Sequence, residues 1–374
     1  MSEDHVVSLQ DVEVHFESDS SLLSRFRGET DIVKAVDGIS LDIPENDVVA
    51  LVGESGCGKS TLGKTAIGVQ RPTDGSVSYR DQDVWKAKDK EGNVEVPYDD
   101  IRQSLQIIPQ DPGASLNPNK TVQHSLSAPL KLRNPEMDSF ERRDRIHEMI
   151  SRVGMSPPED YAKRFPHQLS GGEKQRVALI RALLMNPDLI LADEAVSALD
   201  VSLRIDMMDL MLELQSEFNT SFLFISHNLS NASYVAGKSN GRIGIMYLGE
   251  LVEIGPIDEV LTNPKHPYTK ALVWATPNLD PDADAKNESP LRKIDVPDPR
   301  NPPSGCRFHT RCPEAREACK GTTPESVPVD GDEDHAVTCF RALDNHEYWN
   351  SPELEDEPTE SDADPAELAD EPVQ

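Results

Sequence analysis

The stretch Gly53-Glu54-Ser55-Gly56-Cys57-Gly58-Lys59-Ser60 matches the pattern G-x-x-x-x-G-K-[ST] and directly follows the apolar residues 48–52. Glycines let a backbone wrap closely around an anion, and successive N–H groups and the start of the next helix then face that anion. In this pattern Lys59 reaches the β- and γ-phosphates of a nucleotide, and the Ser60 hydroxyl ligates Mg²⁺. An ordinary glycine-rich turn is the alternative, but the apolar strand expected before the loop and the helix expected after it argue against a plain turn.

Short apolar runs elsewhere predict the sheet that carries this loop. Residues 48–52, 189–192 and 222–225 have the length and composition of buried parallel strands. Residues 243–247 and 251–254 flank Leu248-Gly249-Glu250 and predict a β-hairpin. We therefore expect an α/β fold with a largely parallel sheet over the first part of the chain.

The chain divides into regions of different character. Residues 1–261 are expected to form the α/β unit, with a helical part at about 111–184 that includes an amphipathic helix over 140–153. Residues 262–343 are rich in proline, hold four of the five cysteines, and are expected to form a small extension. Residues 344–374 contain many Asp and Glu and no Lys or Arg, which predicts a disordered acidic tail.

Charge and hydropathy exclude several functions. The 374 residues include 67 acidic and 37 basic ones, for a net charge of -30. Direct binding to nucleic acid or to an anionic lipid surface needs a basic footprint, so neither is expected. The acidic excess is explained either by solubility alone or by adaptation to a salty cytosol, in which screening weakens the repulsion between carboxylates.

Hydropathy also predicts where the chain works. Its mean hydropathy is -0.52, and no stretch approaches the roughly 20 apolar residues that cross a bilayer. The start of the chain lacks a basic region followed by an apolar run, so we expect no signal peptide and a cytosolic chain.

Two carboxylates follow the apolar residues 189–192. Asp193 and Glu194 are expected at the carboxyl end of a buried strand, where open α/β sheets bind their ligands. Asp193 would hold the water shell of Mg²⁺, and Glu194 would polarise the attacking water, a role that contributes ~10²–10⁴-fold to a rate. A pair of strand-end caps is the alternative, and the phosphate loop favours the catalytic interpretation.

A second glycine-rich motif, Leu169-Ser170-Gly171-Gly172-Glu173-Lys174-Gln175-Arg176, is predicted to open a helix. Here the sequence resembles the nucleotide-binding subunits of ABC transporters, whose signature begins L-S-G-G-Q. A serine and two glycines at a helix start form another anion site. The resemblance implies a P-loop NTPase fold with a RecA-like core and a helical subdomain. It also implies that each signature binds the γ-phosphate held by a second cassette, so that two chains enclose two ATP molecules.

Further family elements occur in order along the chain. The resemblance implies that Gln110 senses Mg²⁺ and the membrane partner, that Ser197-Ala198-Leu199-Asp200 communicates across the dimer, and that His227 contacts the γ-phosphate. Phe16 stands where the family stacks an aromatic ring on adenine, although core packing is nearly as plausible. The implied catalytic residues are Glu194, His227 and Gln110, and the implied Mg²⁺ ligands are Ser60, Gln110 and Asp193. The implied ATP contacts are Phe16, Gly53, Ser55, Gly56, Cys57, Gly58, Lys59, Ser60, Thr61, Ser170, Gly171, Gly172 and Asp200.

Three residues depart from the family pattern. Glu173 replaces the usual Gln of the signature, Ala195 replaces a common Pro, and Pro109 precedes Gln110 where an aromatic residue is usual. None of them removes a catalytic group. Pro109 is expected to stiffen the sensing loop, so it bears on coupling to the membrane partner.

Two segments of the extension point to one group of ABC subunits. Residues 263–272 (NPKHPYTKAL) and 305–313 (GCRFHTRCP) resemble the C-terminal segments of oligopeptide and dipeptide importers. That resemblance implies an ATPase on the cytoplasmic side of the cell membrane, bound peripherally to permease subunits and served indirectly by an extracytoplasmic substrate-binding protein. The second cassette is either another copy of this chain or a sibling. An importer of another solute, such as nickel or sugar, a soluble non-transport ABC ATPase and an inactive metal-binding sensor are the alternatives.

Four cysteines lie in the extension: Cys306, Cys312, Cys319 and Cys339. A reducing cytosol disfavours disulfides. The gaps between them fit poorly with zinc knuckles, whose paired ligands are separated by about two to four residues. Four thiolates can hold an iron–sulfur cluster, and the resemblance implies a [4Fe–4S] cluster as one possibility. A zinc site and unligated thiols in a packed subdomain remain the other two.

Overall fold

The computed structural model of the chain describes residues 5–18, 31–276, 290–292 and 295–354. The strands are β1 (His5–Ser18), β2 (Asp31–Pro44), β3 (Val48–Val52), β4 (Asp74–Tyr79), β5 (Gln82–Asp83), β6 (Leu105–Ile108), β7 (Leu189–Asp193), β8 (Ser221–Ser226), β9 (Arg242–Tyr247), β10 (Glu250–Pro256), β11 (Val327–Val329) and β12 (Asp332–Val337). The α-helices are α1 (Lys59–Ala66), α2 (Val84–Asp89), α3 (Tyr98–Ser104), α4 (Pro112–Ser115), α5 (Val122–Arg133), α6 (Ser139–Arg152), α7 (Pro158–Lys163), α8 (Gly171–Leu183), α9 (Val201–Phe218), α10 (Leu229–Ser239), α11 (Ile257–Thr262), α12 (Pro267–Ala275) and α13 (Ala318–Gly321). Short 3₁₀ turns cover Pro166–Gln168, Phe340–Ala342 and Glu347–Asn350.

The larger sheet is parallel at its centre. Its strands run in the order β11-β12-β10-β9-β3-β8-β7-β6, and the five from β9 to β6 are mutually parallel. The predicted strands at residues 48–52, 189–192 and 222–225 are confirmed, and each is fully buried. The carboxyl ends of β3, β7 and β8 meet at one edge of this sheet, because Val52 lies beside Ser226 and Asp193 lies beside Ile225.

Alternate residues of the central strands face two different layers. Leu189 and Leu191 pack in the core beneath the smaller antiparallel sheet, whose order is β2-β1-β4-β5, together with Leu62 of α1. Ile190 and Ala192 pack on the opposite face against the helices from α5 to α9. Side chains of a strand alternate between its two faces, and here both faces are buried. Residues 189–192 are therefore all apolar, which gives a continuous apolar run in the sequence.

The predicted hairpin is also confirmed. β9 pairs antiparallel with β10, and the turn residues Leu248 and Gly249 both have positive φ, at 44° and 86°. This backbone matches the twist of the two strands.

The region from 111 to 184 is built of helices α4 to α8 and one 3₁₀ turn. The predicted helix at 140–153 is present as α6, and Asp138 caps its start by accepting hydrogen bonds from the N–H groups of Phe140 and Glu141. In the described ranges, no helix combines the length and apolar composition that a membrane span requires.

The C-terminal extension continues the larger sheet. β12 pairs antiparallel with β10, so residues far apart in sequence complete one sheet. Glu253 of β10 is buried, at 1% exposure, and accepts hydrogen bonds from the backbone N–H groups of Lys265 and His266 and pairs with His335 Nε2 at 2.9 Å. These three partners all belong to the extension, so they satisfy a carboxylate that would otherwise be costly to bury.

The prediction of a disordered tail from residue 344 is wrong for residues 344–354. Tyr348 is 3% exposed and its hydroxyl donates to the Glu314 carbonyl at 2.6 Å, while Arg316 pairs with Glu353. The aromatic side chain gives this acidic segment apolar surface to bury, and the acidic composition hides that contribution. Residues 355–374 of the predicted tail lie outside the described residues.

Candidate functional site

The loop between β3 and α1 is shaped by close backbone approaches. A Cβ at Gly53 would lie 2.1 Å from the Met246 carbonyl oxygen, and a Cβ at Gly58 would lie 2.0 Å from the Ala35 carbonyl oxygen. Gly58 also has a φ of +106°, which side chains disfavour. Two neighbouring strands, β2 and β9, therefore press against this loop, and glycine is needed at both contacts.

An open cleft of about 490 Å³ lies beside the loop. It collects the predicted residues of the phosphate loop together with three polar side chains from other elements. The residues that line it are Ala35, Ser55, Gly56, Gly58, Lys59, Ser60, Thr61, Gln110, Glu194 and His227. Sequence reasoning missed Ala35, which belongs to no motif and reaches the cleft only because β2 crosses the loop.

Lys59 is buried at the base of the loop, at 5% exposure. Its ammonium donates hydrogen bonds to the carbonyl oxygens of Gly53 at 2.8 Å and Glu54 at 2.9 Å. The loop backbone thus holds a positive charge next to the cleft, which suits an anionic ligand.

Cys57 occupies a variable position of the loop and points into the core, with 3% exposure. Burial raises the pKa of its thiol, and the nearby Lys59 only partly opposes this. A reactive cysteine needs a lowered pKa and access to solvent. The structure therefore favours the interpretation of Cys57 as a spacer.

Ser60 and Asp193 come together as the sequence predicts. The Ser60 hydroxyl donates to Asp193 Oδ1 at 2.6 Å, and Asp193 lies at the carboxyl end of β7 with 7% exposure. A hydroxyl and a carboxylate at this distance are hard oxygen donors of the kind that Mg²⁺ prefers. The chemistry of the two side chains fits Mg²⁺, and Ser60 and Asp193 would be the residues that hold it.

Glu194 contacts two other predicted site residues, Gln110 and His227. Its carboxylate accepts a hydrogen bond from Gln110 Nε2 at 2.9 Å and lies 3.2 Å from His227 Nδ1. Its backbone adopts the left-handed region, at φ 49°, and its N–H bonds to the Ile225 carbonyl at 3.1 Å. Strained backbone of this kind persists where the surroundings hold it, often at functional sites. The carboxylate lines the cleft, where a group that accepts a proton from water would need to lie.

Phe16 is not a core residue. Its side chain on β1 is 42% exposed, and the residue pairs with Val33, two positions from Ala35 of the cleft. The core-packing interpretation is therefore wrong. Stacking on adenine stays a prediction.

The signature motif lies apart from the cleft of its own chain. Ser170 caps α8 and forms a reciprocal capping box with Glu173, whose carboxylate accepts the Ser170 N–H at 2.7 Å. Burial raises the pKa of Glu173, but this hydrogen bond and those from nearby hydroxyls outweigh it, so the pKa is lowered overall. Glu173 thus closes the helix start while leaving Ser170 and Gly171 exposed, and Asp200 is exposed at the start of α9.

The four cysteines of the extension are close enough to influence one another's charge. Burial raises the pKa of all four thiols, to about 12 for Cys312 and about 11 for Cys339, and the charge of Cys339 contributes at Cys306 and Cys312. Within the described residues, however, no three of them bring their sulfurs within 4.8 Å of one another. A tetrahedral zinc site with Zn–S bonds of about 2.3 Å would need a tighter group, so this arrangement fits poorly with zinc.

A comparison with protein families agrees with these features. The ABC transporter family matches residues 36–197, and the family described as oligopeptide/dipeptide transporter, C-terminal region, matches residues 252–319. The oligopeptide transport ATP-binding protein AppF of Bacillus subtilis is 41% identical over 324 residues, which cover 87% of this chain and 94% of AppF. OppF of Salmonella typhimurium is 40% identical over 336 residues, covering 90% of this chain and 96% of OppF. DppF of Escherichia coli, a dipeptide transport ATP-binding protein, is 40% identical and covers 84% of this chain and 89% of DppF.

Solved structures show the same fold. A dimeric ATP-binding cassette in a post-hydrolysis state, bound to ADP and Pi, is 27% identical with a TM-score of 0.56, covering 67% of this chain and 98% of that one. The cassette cbiO1 of Clostridium perfringens is 22% identical, also with a TM-score of 0.56, and covers 72% of this chain and 96% of its own. On the motifs, the geometry and these relatives together, the chain belongs to the ABC transporter family, as an ATP-binding subunit with the C-terminal region of oligopeptide and dipeptide transporters.

Proposed function

We propose that this chain binds and hydrolyses MgATP to power the import of oligopeptides or dipeptides through a membrane permease. The observation that carries the proposal is the single cleft that gathers the phosphate loop, Gln110, Glu194 and His227. The C-terminal match and the named functions of AppF, OppF and DppF support the peptide substrate. In this proposal residues 1–261 form the cassette and residues 262–343, with the ordered 344–354, form the extension.

The residues of the cleft have distinct roles in this mechanism. Gly53, Ser55, Gly56, Gly58 and Thr61 present backbone N–H groups to the phosphates, and Lys59 neutralises their charge. Ser60 and Asp193, with Gln110, would hold the Mg²⁺, which supplies charge stabilisation when bound.

Glu194 accepts a proton from the attacking water, and Gln110 and His227 fix the direction of its carboxylate through their contacts of 2.9 and 3.2 Å. His227, which also lines the cleft, would donate to the γ-phosphate. Catalysis therefore depends chiefly on positioning and on charge stabilisation by groups that are already in place.

The exposed signature supports a paired assembly. Ser170 and Gly171 are exposed at a helix start and do not line the cleft of their own chain. In a dimer, the signature of this chain would lie against the phosphate loop of a second cassette, which is either another copy of this chain or a sibling. The dimeric form of the related cassette supports this arrangement. The assembly would act peripherally on the cytoplasmic side of the membrane, against permease helices that receive peptide from a substrate-binding protein.

Uptake by reconstituted vesicles tests this proposal. The full chain is combined with its permease subunits and binding protein in proteoliposomes, and accumulation of labelled di- and oligopeptides is measured with MgATP inside or outside. We expect uptake that needs ATP on the side of this chain and that unlabelled peptide competes away. Nickel or sugar accumulating instead would replace the peptide assignment, and hydrolysis with no dependence on the permease would favour a non-transport ATPase.

We also propose that Cys306, Cys312, Cys319 and Cys339 hold a [4Fe–4S] cluster. The support is the burial of these thiols and their mutual electrostatic influence. The raised pKa values favour neutral thiols, so binding of the cluster would have to displace their protons. Anaerobic purification followed by iron analysis and an absorbance spectrum tests this. We expect about four irons per chain and a broad band at roughly 400 nm, and a colourless, iron-free protein would overturn it.

A further inference from the structure

One arginine of the extension, Arg311, contacts the phosphate loop. Both Nη atoms of Arg311 lie 3.0 Å from the two carboxylate oxygens of Glu54, which is the second residue of the loop. This is a bidentate pairing, in which a guanidinium binds a carboxylate more strongly than through a single contact. The two residues are 257 positions apart in the chain, so the contact exists only in the folded protein.

Arg311 is held by its surroundings as well as by its partner. It is 3% exposed and its guanidinium lies against the rings of Tyr247 and Phe308, at 5.6 and 5.9 Å from their centroids. Those two rings pack edge to face with each other, and Tyr268 packs against both. Packing against these buried aromatic rings restricts the side chain of Arg311, so its guanidinium is held facing the Glu54 carboxylate.

The backbone of Glu54 is part of the nucleotide-binding machinery. Its N–H donates to the Tyr268 hydroxyl at 3.1 Å, and its carbonyl accepts from the Lys59 ammonium at 2.9 Å. Any movement of Glu54 therefore moves an oxygen that orients Lys59. A carboxylate at this position also places a negative charge, 29% exposed, beside a loop that must bind polyphosphate.

We propose that Arg311 is a positioning residue for nucleotide binding: it neutralises Glu54 and draws this carboxylate toward the extension, away from the phosphates. The inference rests on the proposed function only in that the loop binds ATP. Without Arg311 the Glu54 carboxylate remains uncompensated and repels the incoming triphosphate. A smaller fraction of the molecules then has the loop in the conformation that binds ATP, and the apparent affinity for ATP falls in proportion to that fraction. Once ATP is bound, Glu194 and the magnesium ligands are unchanged, so the maximal rate of hydrolysis is preserved.

A titration of the full-length wild type and three variants tests this. MgATP affinity is measured with a fluorescent nucleotide for wild type, Arg311→Met, Glu54→Gln, and the double variant Arg311→Met/Glu54→Gln. Arg316→Met is the matched control, because Arg316 is also a paired arginine of the extension but contacts Glu353 and the Trp349 carbonyl rather than a residue of the loop. Thermal unfolding of each variant checks that it is folded, and ATP hydrolysis gives KM and kcat.

Removing the charge of Glu54 should restore the nucleotide affinity that is lost when Arg311 is replaced. We expect Arg311→Met to raise Kd and KM about tenfold, the effect of one uncompensated charge near an anion at the effective dielectric of a protein surface, with kcat within about twofold of wild type. The double variant should recover most of the affinity, and the defect of Arg311→Met alone should shrink in high salt.

Two outcomes would overturn the inference. Equal affinity in wild type and Arg311→Met would show that the pair has no effect on nucleotide binding. A double variant as weak as Arg311→Met, or weaker, would show a merely structural role. A wild type that binds no nucleotide would instead contradict the proposed function itself, so the two failures are distinguishable.

Discussion

Glu250 provides a pH-dependent test of how burial and ion pairing compete in this fold. Its carboxyl group, 12% exposed, lies 3.0 Å from the Arg307 guanidinium, a contact that by itself would lower the pKa. Burial nevertheless raises the pKa of Glu250 from 4.5 to about 7; the attraction of Arg307 is smaller than the cost of removing the carboxylate from water, and the charge of Asp37 adds to that cost. Desolvation therefore decides the protonation state, although the ion pair has good geometry.

The magnitude follows from the two pKa values. The folded state binds the proton more tightly than the unfolded chain, so its contribution to stability is complete below pH 4.5 and is lost as the pH rises through about 7. The gap between these values corresponds to about 3 kcal/mol, at ~1.36 kcal/mol for each pKa unit. Glu250→Gln has no proton to lose, so it should escape this loss.

Denaturant unfolding at pH 5 and pH 8 measures the effect. We expect Glu250→Gln and wild type to have similar free energies of unfolding at pH 5, and the variant to be more stable by about 3 kcal/mol at pH 8. Glu317→Gln is the control, because Glu317 is half exposed and pairs only at the surface with Lys320; its effect should stay below about 1 kcal/mol at either pH. A Glu250→Gln effect that is equal at the two pH values would refute the assignment of this titration to Glu250.

Four further predictions concern the cleft and the charge of the chain. Glu194→Gln should lower the rate of phosphate release by ~10²–10⁴-fold while fluorescent MgATP still binds; unchanged hydrolysis would exclude Glu194 as the base. Ser60→Ala should weaken the binding of MgATP but not of ATP in EDTA, and equal losses in both titrations would contradict a magnesium role. Gly58→Ala should abolish nucleotide binding, because its Cβ would meet the Ala35 carbonyl at 2.0 Å; retained affinity would show that the loop adapts. The net charge of -30 should make the melting temperature rise between low and molar salt, and an unchanged melting temperature would leave solubility as its explanation.

Local patterns in the sequence were sufficient to predict much of the fold. The apolar runs of β3, β7 and β8 identified their strands because such runs are buried on both faces. The start of α8 was predictable from Ser170, and the hairpin from Leu248-Gly249, since caps and tight turns depend on a few adjacent residues. The residues of the cleft were also predictable. The motifs place them at the ends of strands, and a parallel sheet brings those ends together.

Contacts between distant segments were not predictable in this way. The pair of Arg311 with Glu54 and the pairing of β12 with β10 depend on packing geometry that no local pattern records. The folding of Tyr348 against the extension was hidden by an acidic neighbourhood whose average composition indicates disorder. The left-handed backbone of Glu194 is likewise imposed by its surroundings rather than by its residue type.

The pairing of β12 with β10 has a consequence for synthesis on the ribosome. Until residue 337 has emerged, one side of β10 has no neighbour, and its free N–H and C=O groups can recruit a strand from another nascent chain. A chain that ends at residue 261 would leave this side of β10 unpaired permanently. It would also lack Lys265, His266 and His335, the three donors that contact the buried carboxylate of Glu253. Attempts to trim this protein to a minimal cassette should therefore yield aggregates, whereas shortening beyond residue 354 leaves the β-ladder intact.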